Sequence, residues 1–308
     1  MDNPVKAGFA SGFVSILGRP NSGKSTLLNA LTGMKLAIVT SRPQTTRTSI
    51  QGVLNLPEAQ IVFLDTPGIH KPSTLLNRRM LSSVQAALDQ RDLLLYVVDS
   101  TCRYQDEDAE ALGVVTAART PILLLLNKVD RLKDKGHLLE LMARYKALHE
   151  FADYIPISGL KGEGLDMLRA EIVSRLPQGP ALFPPDYITD QPERFRAAEL
   201  VREKVLRWTR EEVPHSVAVM IERWEENERL IRISAVIYVE RDGQKGILIG
   251  ARGAMLKQIG SEARTEMEHL FGRKVFLEIF VKVKPGWRGD PRFLNAVDWR
   301  SMAGQEVE

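Results

Sequence analysis

The stretch Gly18-Arg19-Pro20-Asn21-Ser22-Gly23-Lys24-Ser25 follows an apolar, strand-like run (residues 13–17). It leads into Thr26-Leu27-Leu28-Asn29-Ala30-Leu31, which reads as the opening of a helix. This is G-x-x-x-x-G-K-S in a strand–loop–helix setting, the arrangement in which that string holds phosphate. Its glycines let backbone N–H groups turn inward on a phosphate, and the helix N-terminus adds positive potential. Lys24 then reaches the β- and γ-phosphates and Ser25 supplies a hydroxyl to Mg²⁺. The loop specifies a nucleoside triphosphate. Which base it carries, and to what end, has to come from the rest of the chain.

Outward from the loop, apolar runs of strand length at 13–17, 60–64, 93–98, 122–126 and 154–157 alternate with helix-like stretches at 24–31, 75–88, 106–118, 136–149 and 165–176. Near-continuous apolar strands alternating with helices predict an α/β domain, a parallel sheet covered on both faces. Residues 49–54 read as an additional edge strand. The character then changes, with Pro177, Pro180, Pro184, Pro185 and Pro192 crowded into residues 177–192. Such a stretch is neither a helix nor a central strand and reads as a semi-rigid linker. Beyond it the pattern is helix (196–212), strand (217–224), strand (230–239), two helices (the second 255–271) and strand (275–283), an α+β order. The expected organisation is therefore a first domain over 1–176, a linker over 177–192, a second domain over 193–290 and a tail over 291–308.

Bulk properties narrow the setting. The chain has 308 residues, 44% apolar and 26% charged, the composition of a globular protein. Its net charge of +3 is too small to select a partner. Cys102 is the only cysteine, so no intramolecular disulfide forms and a cytosolic address is favoured. The longest apolar runs, such as 93–98, fall far short of the ~20 residues of a membrane span. Residues 1–8 lack the apolar core of a signal peptide.

Further motifs sit at the ends of the apolar strands. Asp65-Thr66-Pro67-Gly68 follows the run at 60–64, so Asp65 stands at a strand's carboxyl end, where doubly wound sheets bind ligands. There Asp65 is suited to Mg²⁺ through a water, and the Gly68 N–H to the γ-phosphate. Asn127-Lys128-Val129-Asp130 follows the run at 122–126. A carboxylate beside a purine accepts from N1–H and the 2-amino group of guanine, two donors that adenine lacks, and the penalty for an unpaired buried carboxylate makes the choice sharp. Asp130 therefore selects guanine, while the Lys128 stem covers the base and Asn127 ties the segment to the phosphate loop. Ser158-Gly159 follows the last strand and offers backbone N–H groups to the guanine O6; Gly159 stands where alanine is more usual. Between the loop and Asp65 lies Ser41-Arg42-Pro43-Gln44-Thr45-Thr46-Arg47. One threonine here, Thr46 ahead of Thr45, completes the Mg²⁺ shell when the γ-phosphate is present and lets go after hydrolysis.

Together these motifs resemble the five guanine-nucleotide motifs of small GTPases of the translation-factor class. The resemblance implies a Ras-like domain that hydrolyses GTP to GDP and phosphate with Mg²⁺, using Lys24, Asn21, Thr46 and Gly68. One departure matters. Ile69 follows Gly68 where Ras-like switches carry a glutamine that orients water. Isoleucine cannot do this, so hydrolysis is expected to be slow unless charge comes from elsewhere. Asn21 is the candidate, its side-chain oxygen holding K⁺ against the β- and γ-phosphates.

In the second domain, Gly250-Ala251-Arg252-Gly253 stands between two helices. A bare G-x-x-G is no more than a tight turn. Set in the order α-β-β-α-GxxG-α-β it resembles a type II KH domain, whose groove takes about four single-stranded nucleotides. Residues 241–292 carry eleven Lys/Arg and six Asp/Glu. Arg252, Lys257, Arg264, Lys282 and Lys284 are expected to face RNA, and the acidic stretch 222–228 to face solvent. Trp287 is read either as a base-stacking residue or as packing.

A Ras-like domain, a proline-rich linker and a type II KH domain resemble the Era family of bacterial GTPases over nearly the whole chain. That resemblance implies binding to the 3′ end of 16S rRNA, a role in 30S subunit assembly, a monomeric cytoplasmic protein and peripheral membrane contact. Two other classes compete with it: a GTPase acting on a protein partner, and a kinase using GTP as phosphoryl donor, against which Asp130 and the lack of a second substrate motif both count.

Overall fold

A computed structural model describes residues 8–70, 74–89, 91–134 and 136–299. The N-terminal stretch read for a signal core and the end of the tail lie largely outside these residues. The chain forms two compact units. The first runs through Ala37, resumes at Thr46 and again at Asn77, and continues to Asp190. The second takes Ile38–Thr45, Thr74, Leu75 and Leu76, and the described residues from Gln191 onward.

In the first unit, strands β1 (Ala10–Leu17), β2 (Ile50–Asn55), β3 (Ala59–Asp65), β4 (Leu93–Asp99), β5 (Ile122–Asn127) and β6 (Asp153–Pro156) form one sheet in the order β2-β3-β1-β4-β5-β6. All neighbours are parallel except β2, which runs antiparallel to β3 at the edge. The apolar runs are continuous because each face has its own core. Leu93, Leu95 and Val97 join one buried cluster with Leu27, Leu28 and Leu31 of α1 (Lys24–Thr32) and Leu168 and Ile172 of α5 (Leu165–Arg175). Their neighbours Leu94, Tyr96 and Val98 join another with Ala111 and Val115 of α3 (Asp106–Thr116) and Leu141 and Tyr145 of α4 (Gly136–Lys146). That is the period-two alternation of a strand covered on both faces. Helix α2 (Leu75–Ala86) adds Val84 to the second cluster.

The proline-rich stretch lies along this unit. The buried Gln60 side chain accepts from the backbone N–H groups of Leu182 (2.6 Å) and Phe183 (2.8 Å) and donates to the Phe183 carbonyl (2.9 Å). Val53 N–H donates to the Ile188 carbonyl at 2.7 Å, so the open edge at β2 is partly covered. A residue without N–H suits such an edge, because it cannot extend the pairing.

The second unit has helix α6 (Glu193–Trp208), strands β7 (Ala218–Glu226) and β8 (Leu230–Val239), helices α7 (Asp242–Ile249) and α8 (Ala254–Phe271), strand β9 (Lys274–Val283) and helix α9 (Pro291–Val297). Its sheet has the order β7-β8-β9, with β7–β8 antiparallel and β8–β9 parallel. Helices α6, α7 and α8 share a core with one face of the sheet, through Val201, Leu248, Ile259 and Ala263 against Ile233, Ile237 and Val275. On the other face Trp287 is buried with Ala218, Phe293 and Leu294, and its indole N–H donates to the Ser216 carbonyl at 3.0 Å. Trp287 packs rather than awaiting a base.

Candidate nucleotide site and KH groove

The phosphate loop connects β1 to α1 and has the backbone that its glycines imply. Gly18 has φ 146°, Asn21 62° and Gly23 100°. A Cβ at Gly18 would lie 2.3 Å from the Val97 carbonyl oxygen, and one at Gly23 would lie 2.2 Å from the Asn127 amide nitrogen. Glycine is therefore required at both positions by conformation and by space. Lys24, the first residue of α1, folds back over the loop. Its ammonium donates to the carbonyls of Gly18 (3.1 Å) and Arg19 (2.9 Å). Burial pulls this lysine down to about 8, although Asp65 nearby pulls the other way. Arg19 is held by Asp108 of α3 at 2.7 Å, so its guanidinium is committed to that ion pair.

Ser25, Thr46 and Asp65 converge. The Ser25 hydroxyl donates to Asp65 Oδ2 at 2.6 Å and lies 2.8 Å from the Thr46 hydroxyl. Asp65 is fully buried, its Oδ1 has no hydrogen-bond partner, and burial raises the carboxyl to about 6. A buried carboxylate oxygen left unpartnered beside two hydroxyls is an oxygen donor set waiting for a cation. Of the two threonines, Thr46 reaches this point, whereas the Thr45 hydroxyl donates to the Arg42 carbonyl at 2.7 Å. Thr66 ties its strand end to β1 through the Ile16 carbonyl (2.9 Å). Past Pro67, Gly68 presses on the loop, where a Cβ would lie 2.6 Å from Pro20 Cα. Ile69 donates its N–H to the Gly18 carbonyl at 3.1 Å, while its side chain is buried in the cluster of Leu17 and Val84. It contributes backbone to the site and no side chain.

At the base end, Asn127 is a hub. Its amide donates to the Ser22 carbonyl (2.8 Å), and its oxygen accepts from the N–H groups of Lys128 (2.8 Å) and Gly159 (3.0 Å). The Lys128 ammonium bonds to the Asn21 carbonyl and to Asp99 Oδ2, both at 2.6 Å. Asp99 lies below the usual carboxylate range: burial opposes this, but the bonds from Lys128 and Thr101 prevail. Val129 donates its N–H to the Ile157 carbonyl, and Ser158 donates its hydroxyl to Asp130 Oδ1 at 2.6 Å. Four separate segments are thus locked together. Asp99 was not legible as a partner in the sequence; its only signal was its place at a strand's carboxyl end.

In the second unit, Gly250 has φ 70°, Arg252 51° and Gly253 80°, and a Cβ at Gly250 would lie 2.7 Å from Met255 Cβ. The turn delivers the chain into α8. Beside it lies a groove of about 400 Å³, lined by Gly253, Leu256, Lys257, Gly260, Arg264, Leu277 and Ile279. Ala251 and Arg252 are exposed on the turn. Lys282 differs from its expected place. Leu277, Ile279 and Val281 pack with the helix-covered core, so alternation turns Lys282 to the opposite face, where it pairs with Glu222 at 2.8 Å. Lys284 pairs with Asp290 at 3.0 Å.

Fold and site together define a P-loop GTPase domain joined to a KH domain. Residues 13–128 match the family described as 50S ribosome-binding GTPase, and residues 212–288 match the KH domain family. The chain is 49% identical over 300 residues to the GTPase Era of Geobacter metallireducens, covering 97% of this chain and 99% of that protein, and 50% identical over 289 residues to that of Syntrophus aciditrophicus. The chain belongs to the GTPase Era family, and it hydrolyses GTP. Among solved structures, a point variant of Aquifex aeolicus Era bound to GDP.AlF4⁻ is 40% identical with a TM-score of 0.91, covering 94% of this chain and 99% of that one. An Era in complex with MgGDPNP and nucleotides 1506–1542 of 16S ribosomal RNA matches with the same score and identity.

Proposed function

We propose that this chain is a GTP-driven switch whose KH groove takes the single-stranded 3′ end of 16S rRNA while the 30S subunit is assembled. The observation that carries the switch is that Thr46 and Gly68, on separate segments, both reach the phosphate loop, one at Ser25 and the other at Pro20. A γ-phosphate between them orders both segments, and its loss releases them. The RNA assignment is supported by the strained turn at Gly250–Gly253, the groove beside it and the relative bound to 16S rRNA.

Ser25, Thr46 and Asp65 are the residues that fit Mg²⁺, as the orphaned Asp65 Oδ1 indicates. Bound there, the ion neutralises charge developing on the β- and γ-phosphates. The loop N–H groups and Lys24 hold those oxygens, and Asp130 with the Ser158–Gly159 backbone reads guanine. No side chain at position 69 orients water, which leaves electrostatic stabilisation as the main catalytic resource. Asn21 supplies part of it by holding K⁺ at the phosphates; equal turnover in KCl and NaCl would remove that role. The single thiol, Cys102, is consistent with a cytoplasmic protein, and any peripheral membrane contact is checked by flotation with anionic vesicles. The decisive test is crosslinking of the GTP-loaded protein to total cellular RNA. Crosslinks gathered at the 3′ end of 16S rRNA support the reading, and crosslinks scattered without preference would sink it.

A further inference from the structure

Helix α6 carries three consecutive charged residues, Arg202, Glu203 and Lys204, that are only 3%, 5% and 6% exposed. Three successive residues sweep about 200° of a helix, so no solvent-facing stripe accounts for them. Buried charges at such positions need partners, and the partners lie in two places. Lys204 donates to Glu203 and to Glu266 of α8, the helix that begins after Gly253. The other two grip the segment Ile38–Thr45, which belongs to this unit. Glu203 Oε1 accepts from the Val39 N–H at 2.9 Å, and Arg202 donates to the Thr45 carbonyl. Glu199, one turn earlier, accepts from Arg202 Nε and from one of its terminal nitrogens, both at 2.6 Å, and so fixes the plane of the guanidinium. Arg42 closes the segment by donating to the Thr209 carbonyl at 2.9 Å.

The next residue along the chain is Thr46, whose hydroxyl stands at Ser25 and Asp65. We propose that Arg202 is a positioning residue for GTP: it holds the Thr45 carbonyl and thereby keeps the Thr46 hydroxyl where Mg²⁺ and the γ-phosphate need it. The inference rests on the reading of Thr46 as a Mg²⁺ ligand of the GTP-bound form. It gives Arg202 an effect on GTP that it does not have on GDP, since Thr46 is engaged only while the γ-phosphate is present.

The test uses the full chain and the variants Arg202→Met, which keeps most of the volume, Arg202→Lys, which keeps a donor, and Glu199→Gln, which loosens the fork. The readouts are equilibrium affinities for GDP and for a non-hydrolysable GTP analogue in Mg²⁺, with KM and kcat. Arg202→Met is expected to weaken the GTP analogue about tenfold, the scale of one lost charge-assisted hydrogen bond, and to leave GDP affinity unchanged. Arg202→Lys is expected to recover most of the loss, and Glu199→Gln to lose less than Arg202→Met. Equal loss for both nucleotides, or no loss for either, would overturn the inference. Thr46→Ala separates it from the reading beneath it. If Thr46→Ala changes neither affinity nor turnover, the ligand assignment fails; if it does and Arg202→Met does not, only the positioning role fails.

Discussion

The guanine end of the nucleotide site and the GxxG turn both present backbone to a ligand, but they are built in opposite ways. At the first, Asn127, Lys128 and Ser158 are each committed to named partners, and the bonds lock segments far apart in the chain. At the second, the turn is set by two glycines and one strained arginine, and the groove beside it is lined by Leu256, Leu277 and Ile279 together with two glycines, Ser261 and the basic Lys257 and Arg264. A site locked by buried polar bonds discriminates because a wrong ligand leaves a buried group unpaired. A groove that offers backbone, aliphatic walls and two basic side chains meets a strand through its shape and its phosphates and tolerates more variation in the bases it holds. The expected outcome is strict choice of nucleotide and a more permissive choice of polymer.

The sharpest way to break this contrast is at Asp130. Asp130→Asn removes the acceptor pair and is expected to cost on the order of 10³-fold in GTP affinity, measured by competition, while xanthosine triphosphate, which carries an acceptor where guanine carries a donor, gains. A loss limited to a few-fold would mean the base end is not locked as described. In the groove, replacing Gly250 and Gly253 together with Asp places two carboxylates on the turn and strains positive-φ positions. RNA affinity is expected to fall roughly ten- to a hundredfold, the scale of losing a charge-assisted phosphate contact. GTP hydrolysis should stay near its original rate.

Buried charge gives the nucleotide site a pH signature. Asp65 titrates higher in the folded protein, so without ligand stability falls as pH rises from 3.8 to about 6 and the buried carboxyl must ionise. Lys24 titrates lower in the folded protein, so stability recovers between about 8 and 10.5 as the folded chain gives up that proton first. Denaturant melts across pH should show both slopes, and the Asp65→Asn and Lys24→Met variants should each remove one. The smallest effect is expected at Gly159. Its backbone is not in the positive-φ region, and a Cβ would stand 3.4 Å from Leu27, an ordinary contact. Gly159→Ala should leave GTP affinity unchanged and stabilise by about 0.4–1 kcal/mol through the unfolded chain, read by chemical denaturation.

The contrast also explains what the sequence reveals. Phosphate recognition through backbone demands glycine at set spacings, and the spaces at Gly18, Gly23 and Gly68 leave no room for a side chain, so those motifs are legible residue by residue. Near-continuous apolar runs make the strands legible, since each strand serves two cores. Side-chain pairing was not legible, because it depends on tertiary register. Nothing in the sequence joins Lys128 to Asp99 or Arg202 to Thr45. Lys282 was misplaced because its charge suggested RNA, while strand alternation points it to Glu222 on the other face. The proline-rich stretch announced a connector, but the grip of the buried Gln60 on Leu182 and Phe183 emerges only in three dimensions.

The central claim is that nucleotide state and RNA binding are one linked equilibrium. It is tested by titrating a single-stranded RNA carrying the 16S 3′ end into the full chain, once with Mg²⁺ and a non-hydrolysable GTP analogue and once with Mg²⁺ and GDP. The account predicts tighter RNA binding in the GTP form. It also predicts, by thermodynamic reciprocity, that saturating RNA raises the preference for the GTP analogue over GDP by the same factor. Identical RNA affinities in the two forms would contradict it.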